Sequence, residues 1–429
     1  MTSPDGSPAS GLTRRGMLGL LGAGGAGLVA GGVGGAAVAA AATTDAVATA
    51  AERLVYPFFG AHQGGITTPV QEHLHIAAFD MADGANRDDI QTLLQDWSYA
   101  ASRMTQGLDV TSSGALGGDP QAPPDDTGEA IGTPANGLTI TIGLGPTLFR
   151  ADGVDRFGLA VRAPEDLVAL PRFVGDDLNP RQSYGDLCIQ ACANDPQVAV
   201  HAIRNLTRIA FGRAAIRWSQ LGFGRTSRTT SEQSTPRNLF GYKDGTANIL
   251  ADDTGALKQH VWVGEDDGPS WLAGGTYLVV RKIAMTIELW DRQRLAEQDR
   301  IFGRNKGEGA PLSGGDEFTP PDFAANDATG APAIDPDSHV RLAHPSQNDG
   351  IRLLRRGYNF VDGNSEIGQL AAGLLFLSFQ RSPEQFIAVQ RRLAASDLMN
   401  EYVRHVGSSV WAVPPGVEDG GYIGSGLFD

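Results

Sequence analysis

One order of local patterns occurs twice along this chain, and few folds accommodate such a repeat. In the first half, residues 72–80 read as a strand and residues 87–104 as a helix. Leu138, Ile140, Ile142 and Leu144 alternate with small or polar residues, as in a strand over 138–144. Leu187, Ile189, Ala191 and Ala193 alternate in the same way within 186–193. Asp195-Pro196 then supplies a helix N-cap and a first-turn proline, and Ala199, Ile203, Leu206 and Ala210 recur at helical spacing. A closing strand is predicted near 216–222. The second half gives a strand (276–285), a helix (288–302), strands at 338–343 and 373–380, a helix, and a strand at 409–413. That last helix opens on Ser382-Pro383-Glu384-Gln385, a capping box, and runs through Leu393.

Each half therefore has the β-α-β-β-α-β order of a ferredoxin-like unit, an antiparallel sheet with helices on one face. The predicted fold class is α+β, with two such units in tandem over residues 43–250 and 251–429. Between the elements lie three long inserts, 106–137, 225–240 and 303–337, rich in Gly, Pro, Ser, Thr or Asp and expected on the surface. Inserts of this length are either functional, dimer-forming, or plain surface excursions.

The N-terminus has its own logic. Thr13-Arg14-Arg15-Gly16-Met17-Leu18 precedes an uncharged Gly/Ala-rich run to about Ala42, with an A-x-A-like end at Ala37-Val38-Ala39. Residues 1–42 read as a signal peptide, and the paired arginines resemble a twin-arginine signal, the route for proteins that fold before crossing. Such a protein can receive a cofactor inside the cell. So much glycine makes a weak membrane anchor, the competing reading. Export places the mature protein outside the membrane, in the extracellular or periplasmic and cell-wall space. Across all 429 residues the formal charge is −15, which argues against a broad nucleic-acid surface. The two cysteines, Cys188 and Cys192, sit on one face of a strand roughly 13 Å apart, too far for a disulfide. Both read as packing residues.

Chemistry concentrates after residue 237. In Asn238-Leu239-Phe240-Gly241-Tyr242-Lys243-Asp244-Gly245-Thr246-Ala247-Asn248, two glycines bracket an acid. An ordinary Asp-Gly turn would look like this. So would an acid on a tight loop whose glycines let backbone approach a flat ligand. Of eight histidines, none shows zinc-helix spacing, and His73 with His75 makes at most a weak metal pair on one strand face. His339 stands in Asp337-Ser338-His339-Val340-Arg341-Leu342, and Arg355 follows in Ile351-Arg352-Leu353-Leu354-Arg355-Arg356-Gly357-Tyr358.

At these points the sequence resembles the dye-decolorising peroxidases. The G-x-x-D-G signature of that family stands here as Gly241–Gly245, extended through Thr246 and Asn248. Its haem-ligand histidine, in a short S-H-V strand, falls on His339, and its distal arginine on Arg355. The likeness continues through Trp271–Arg281, Trp290-Asp291, Gly373–Gln380 and Ser408–Gly416, and with the paired arginines it suits the exported subgroup that includes iron-uptake peroxidases. Some members carry Asn two residues after the distal arginine, where this chain has Gly357. His344 is the rival ligand; on an extended strand it would face away from His339, and the resemblance favours His339.

The resemblance implies one haem b per chain in the C-terminal half, with His339 as the metal ligand. Gly241, Gly245, Thr246, Asn248 and Phe376 would line the cofactor, and Glu401 would be the carboxylate partner of His339. It implies that Asp244 is the acid–base group for hydrogen peroxide and that Arg355 stabilises negative charge on the departing oxygen. A carboxylate, with an ordinary pKa of about 4, favours activity at acid pH. The implied reaction reduces hydrogen peroxide through a ferryl intermediate and oxidises dyes, phenols or other one-electron donors. Tyr358, Trp271 and Trp290 are candidate electron relays, with ordinary packing as the alternative for each. It also implies a homodimer or larger assembly, with the twin-arginine machinery as a further partner. Two other roles are open: an iron-acquisition protein that handles haem or ferrous iron, and a non-catalytic exported binding protein, since fold alone does not settle function.

Overall fold

The computed structural model describes residues 54–429, so the signal-peptide reading lies outside the described residues. The first half runs β1 (His73–Met81), α1 (Arg87–Met104), β2 (Thr139–Leu144), β3 (Leu187–Ala193), α2 (Pro196–Ala210) and β4 (Ala214–Arg225). Both helices open on side-chain caps, and the one at Asp195 is where the sequence places it. Asn86 and Asp89 form a capping box at α1, and the Asp195 side chain accepts from the Gln197 and Val198 amides at α2. The second half contains β5 (Thr276–Met285), α3 (Leu295–Phe302), α4 (His339–Ala343), β6 (Leu354–Arg355), β7 (Tyr358–Asn364), β8 (Leu370–Gln380), α5 (Pro383–Ser396) and β9 (Val403–Val413).

All the strands join one antiparallel sheet in the order β5-β9-β2-β3-β1-β4-β7-β8-β6, and β5 also pairs with β8. The order therefore closes into a ring. Closure removes the free edges that a four-stranded sheet from either half would expose. The joints between halves are short: Leu144 with Ala412 on one side, and Phe223 and Arg225 with Asn359 and Tyr358 on the other. Strand alternation sorts the core into two layers. Leu74, Ile76, Cys188, Cys192, Leu278, Val280, Tyr358, Leu375, Leu377 and Trp411 share one cluster inside the ring. Their neighbours Ala77, Phe79, Ile189, Ala191, Val279 and Val410 face outward, in a cluster that includes residues of α1, α2 and α5. Cys188 and Cys192 are buried and unpaired, as packing residues.

Three elements differ from the sequence reading. Residues 338–343 form a one-turn helix, not a strand, with the Leu342 amide donating to the Ser338 carbonyl. The reason lies in the sheet: β8 is already bonded by β5 along one edge and by β6 and β7 along the other, so 338–343 finds no vacant edge there. The place that the sequence reading gave to 338–343, second of its four strands in this half, is taken instead by β7. The helix expected over 288–302 is two pieces, Ile287–Trp290 and α3, separated by extended backbone at Arg294. The final strand begins at Val403, six residues early; polar Arg404, His405 and Ser408 hide its alternation.

Arg281 on β5 is fully buried and pairs with Asp176, from the segment between β2 and β3. Its guanidinium also donates to the Ser408 hydroxyl at 2.9 Å and to His405 Nδ1 at 3.2 Å. Burial, and then the Arg281 cation, push His405 down to about 3, so it stays neutral and can accept. Removing the carboxylate leaves an uncompensated charge in the core. Asp176→Ala should cost about 3–5 kcal/mol, read as a lowered urea midpoint, because breaking a buried pair strands its partner. An unchanged midpoint would show that the pair contributes nothing net.

Candidate active site

Asp244 lies on an irregular loop whose path depends on glycine. Gly245 has φ +89°, and a Cβ there would come within 2.7 Å of the Ser227 backbone. Gly241, at φ +84°, makes the matching turn before the acid. The Asp244 amide donates to the Pro236 carbonyl at 2.9 Å. Its carboxylate accepts from Arg355 Nη1 at 2.8 Å, joining residues more than a hundred apart in sequence. Asn248 makes that junction rigid. Its amide nitrogen donates to the Arg228 and Arg355 carbonyls at 2.7 and 2.9 Å, and its oxygen accepts from the Arg355 amide at 2.7 Å. Asn248 thus acts on the backbone of both elements. The Thr246 hydroxyl donates to Glu317 at 3.2 Å.

Arg355 is set by register. It lies opposite Ser378, so it shares a sheet face with Phe376, whose ring packs 5.9 Å from Phe386 of α5. At Gly357, a Cβ would meet Thr226 Oγ1 at 2.7 Å. The close approach of β4 and β7 explains glycine at this position, and no third polar side chain extends from it.

His339 is the first residue of α4, against α5. Its Nδ1 lies 2.6 Å from Asp397 Oδ2. Asp397 ends α5 and is buried, and its other oxygen accepts from the Met399 amide at 2.9 Å. The carboxylate on His339 is therefore Asp397, not Glu401. Glu401 is exposed four residues further on, at the end of the short turn that Asp397 caps. Nothing in the sequence marked Asp397, rather than Glu401, as the acid that reaches the histidine. His344 follows the end of α4 and bonds Ser346, and its ring lies beside Phe323.

Protein surrounds the histidine closely, yet 34 % of its side chain stays accessible, so the ring keeps one open face. Burial alone would lower its proton affinity, but Asp397 outweighs that, and the imidazole sits above its ordinary value. Asp244 adds to the rise and Arg355 opposes it, so both lie within electrostatic reach of His339. The structure thus gathers His339, Asp244 and Arg355 around one region. Phe302 stacks at 3.9 Å on Tyr242 of the acid loop and lies edge-on to His339, with centroids 6.3 Å apart. Among the described residues no group of three or more His, Cys, Asp or Glu is placed to hold a metal ion. Tyr358, Trp290 and Trp271 are all buried, so none is a surface relay.

Two family models match the chain: the N-terminal part of the Dyp-type peroxidases over residues 63–224 and the C-terminal part over 235–418. The deferrochelatase of Escherichia coli O157:H7 is 37% identical over 378 residues, covering 86% of each chain. DtpA from Streptomyces lividans, solved as an oxyferrous complex, is 37% identical with a TM-score of 0.81, covering 89% of this chain and 99% of its own. A DyP-type peroxidase from Cellulomonas bogoriensis is also 37% identical, with a TM-score of 0.79, over 88% and 99% of the two chains. Two models spanning most of the chain, and relatives this similar over nearly their whole length, place it in a family: the chain belongs to the Dyp-type peroxidases.

Proposed function

We propose that in this haem peroxidase His339 would hold the cofactor, and that Asp244 and Arg355 would handle hydrogen peroxide beside it. The observation that carries this reading is proximity: a partly accessible imidazole backed by Asp397, with the Asp244–Arg355 pair within electrostatic reach of it. The donor set fits haem. Asp397 engages Nδ1, which leaves Nε2 as the nitrogen free to ligate iron, and a carboxylate behind a ligating histidine raises its basicity. Bound haem supplies the redox equivalents that cleave the peroxide O–O bond. The protein supplies proton transfer and charge. Asp244 takes the proton from one peroxide oxygen and returns it to the other. Arg355, cationic throughout, stabilises the negative charge that grows on the departing oxygen, and its bond to Asp244 aims the carboxylate.

The two β-α-β-β-α-β runs are read as tandem ferredoxin-like units meeting near residue 250, with the haem pocket in the second. Phe376, Gly241 and Gly245 are read as its walls. Export by the twin-arginine route is proposed on Arg14-Arg15 and the small-residue run that follows, with assembly into a dimer or larger oligomer proposed on the family likeness. The 37% identity to deferrochelatases favours a second role for the same site, removal of iron from haem. Product analysis separates the two: peroxide-dependent oxidation of a dye supports the first, and iron-free porphyrin formed without peroxide supports the second.

Asp244→Asn should keep the haem spectrum and slow the reaction with peroxide by about 10²–10⁴-fold in stopped flow, the usual worth of a positioned acid–base group. A variant as fast as the parent would remove Asp244 from the mechanism. His339→Ala should lose the Soret band, and Asp397→Asn should weaken haem binding about 10–100-fold, as for other groups that orient a ligand. In the haem-free protein the raised His339 favours imidazolium, whereas iron needs the neutral ring. Haem affinity should therefore fall as pH drops through that raised value, and Asp397→Asn should move the fall to lower pH. A Soret titration at several pH values showing no such displacement would contradict the assignment.

A further inference from the structure

The long insert 303–337 packs on the acid loop at several points, and Glu317 makes the polar contacts that flank Asp244. Glu317 is 9% accessible, and its two carboxylate oxygens are divided between residues on either side of Asp244. One accepts from the Thr246 hydroxyl at 3.2 Å, and the other pairs with the Lys243 ammonium. Burial would raise this carboxyl, but Lys243, Thr235 and Thr246 outweigh it and keep it ionised. The insert is itself anchored. Arg304 donates to the Glu317 carbonyl at 2.8 Å and to the Gly309 carbonyl at 2.7 Å. The Arg228 guanidinium lies 4.7 Å over the ring of Phe318. At Gly309 a Cβ would strike Lys243 at 2.9 Å, so the insert backbone closes directly on the lysine stem.

We propose that Glu317 is a positioning residue for Asp244, an assignment that rests on the reading of Asp244 as the acid–base group. It acts in two ways. Bonds on both sides of Asp244 fix a loop that has no regular secondary structure to hold it. Holding Lys243 also keeps a flexible cation, one residue from the acid, away from the carboxylate that Arg355 engages.

A double-mutant cycle tests this, since a residue acting through another loses its effect when that other is removed. On the parent background, Glu317→Gln should slow the peroxide reaction about tenfold, as a 1.4 kcal/mol loss of transition-state stabilisation would. Haem content and Soret position should be retained. On the Asp244→Asn background the same change should cost less than about twofold, the non-additivity of coupled sites. In the haem-free protein, Glu317→Gln should also speed amide hydrogen exchange across residues 241–248. Thr246→Val cuts the same tie at one end and is gentler on folding; it should show a smaller loss with the same dependence on Asp244. It carries the cycle if Glu317→Gln does not retain haem. The proposal is overturned if neither substitution slows the reaction, or if the loss is as large without Asp244 as with it. Failure of the underlying reading has a separate signature, an Asp244→Asn protein as fast as the parent.

Discussion

The placement of strand β8 governs both sides of the site. Its pairing with β5 along one edge and with β6 and β7 along the other fixes its register without freedom to slip. Because Arg355 lies opposite Ser378, that register alone decides which face the guanidinium occupies. A shift of one residue would turn it into the ring interior, among Leu375, Leu377 and Trp411. The same strand continues through a capped turn into α5, and α5 ends at Asp397. One strand thus delivers the arginine directly and the carboxylate behind His339 at one helix's remove.

The acid has no such scaffold. Asp244 rides on a loop shaped by two glycines with positive φ, tied locally to the Pro236 carbonyl and otherwise steadied by contacts from elsewhere in the chain. Asn248 bonds the loop's end to the Arg355 backbone, so acid and base partner move as one piece. Backbone of this kind lets a side chain enter a site at an angle no strand or helix permits, and it costs conformational entropy that tertiary ties must offset. Such ties are dense here: a side-chain clamp, an ion pair and an insert packed against the outer side.

The parts legible in the sequence were those that local physics determines. Alternation in Leu138–Leu144 and Leu187–Ala193, and caps at Asp195 and Ser382, set elements whose pattern and tertiary environment agree. The acid loop was visible because glycines bracket a charge. Residues 338–343 misled because Val340 and Leu342 alternate as in a strand, while the decisive fact, that β8 has no free edge, belongs to the assembled sheet. The partner of His339 was missed for a related reason. Glu401 and Asp397 stand four residues apart and both look like helix-end acids, and only the turn at Leu398–Glu401 decides which one points inward. Glu317 gave no local signal, since its significance lies in contacts across more than seventy residues.

Asp397 spends its two oxygens on different partners, one on the ring of His339 and one on a backbone amide of the turn that follows. Two partners at fixed positions restrict how that carboxylate can turn. The ring it holds is oriented before any cofactor arrives, with Nδ1 committed to the carboxylate. An incoming porphyrin would therefore spend less of its binding free energy on arranging its ligand.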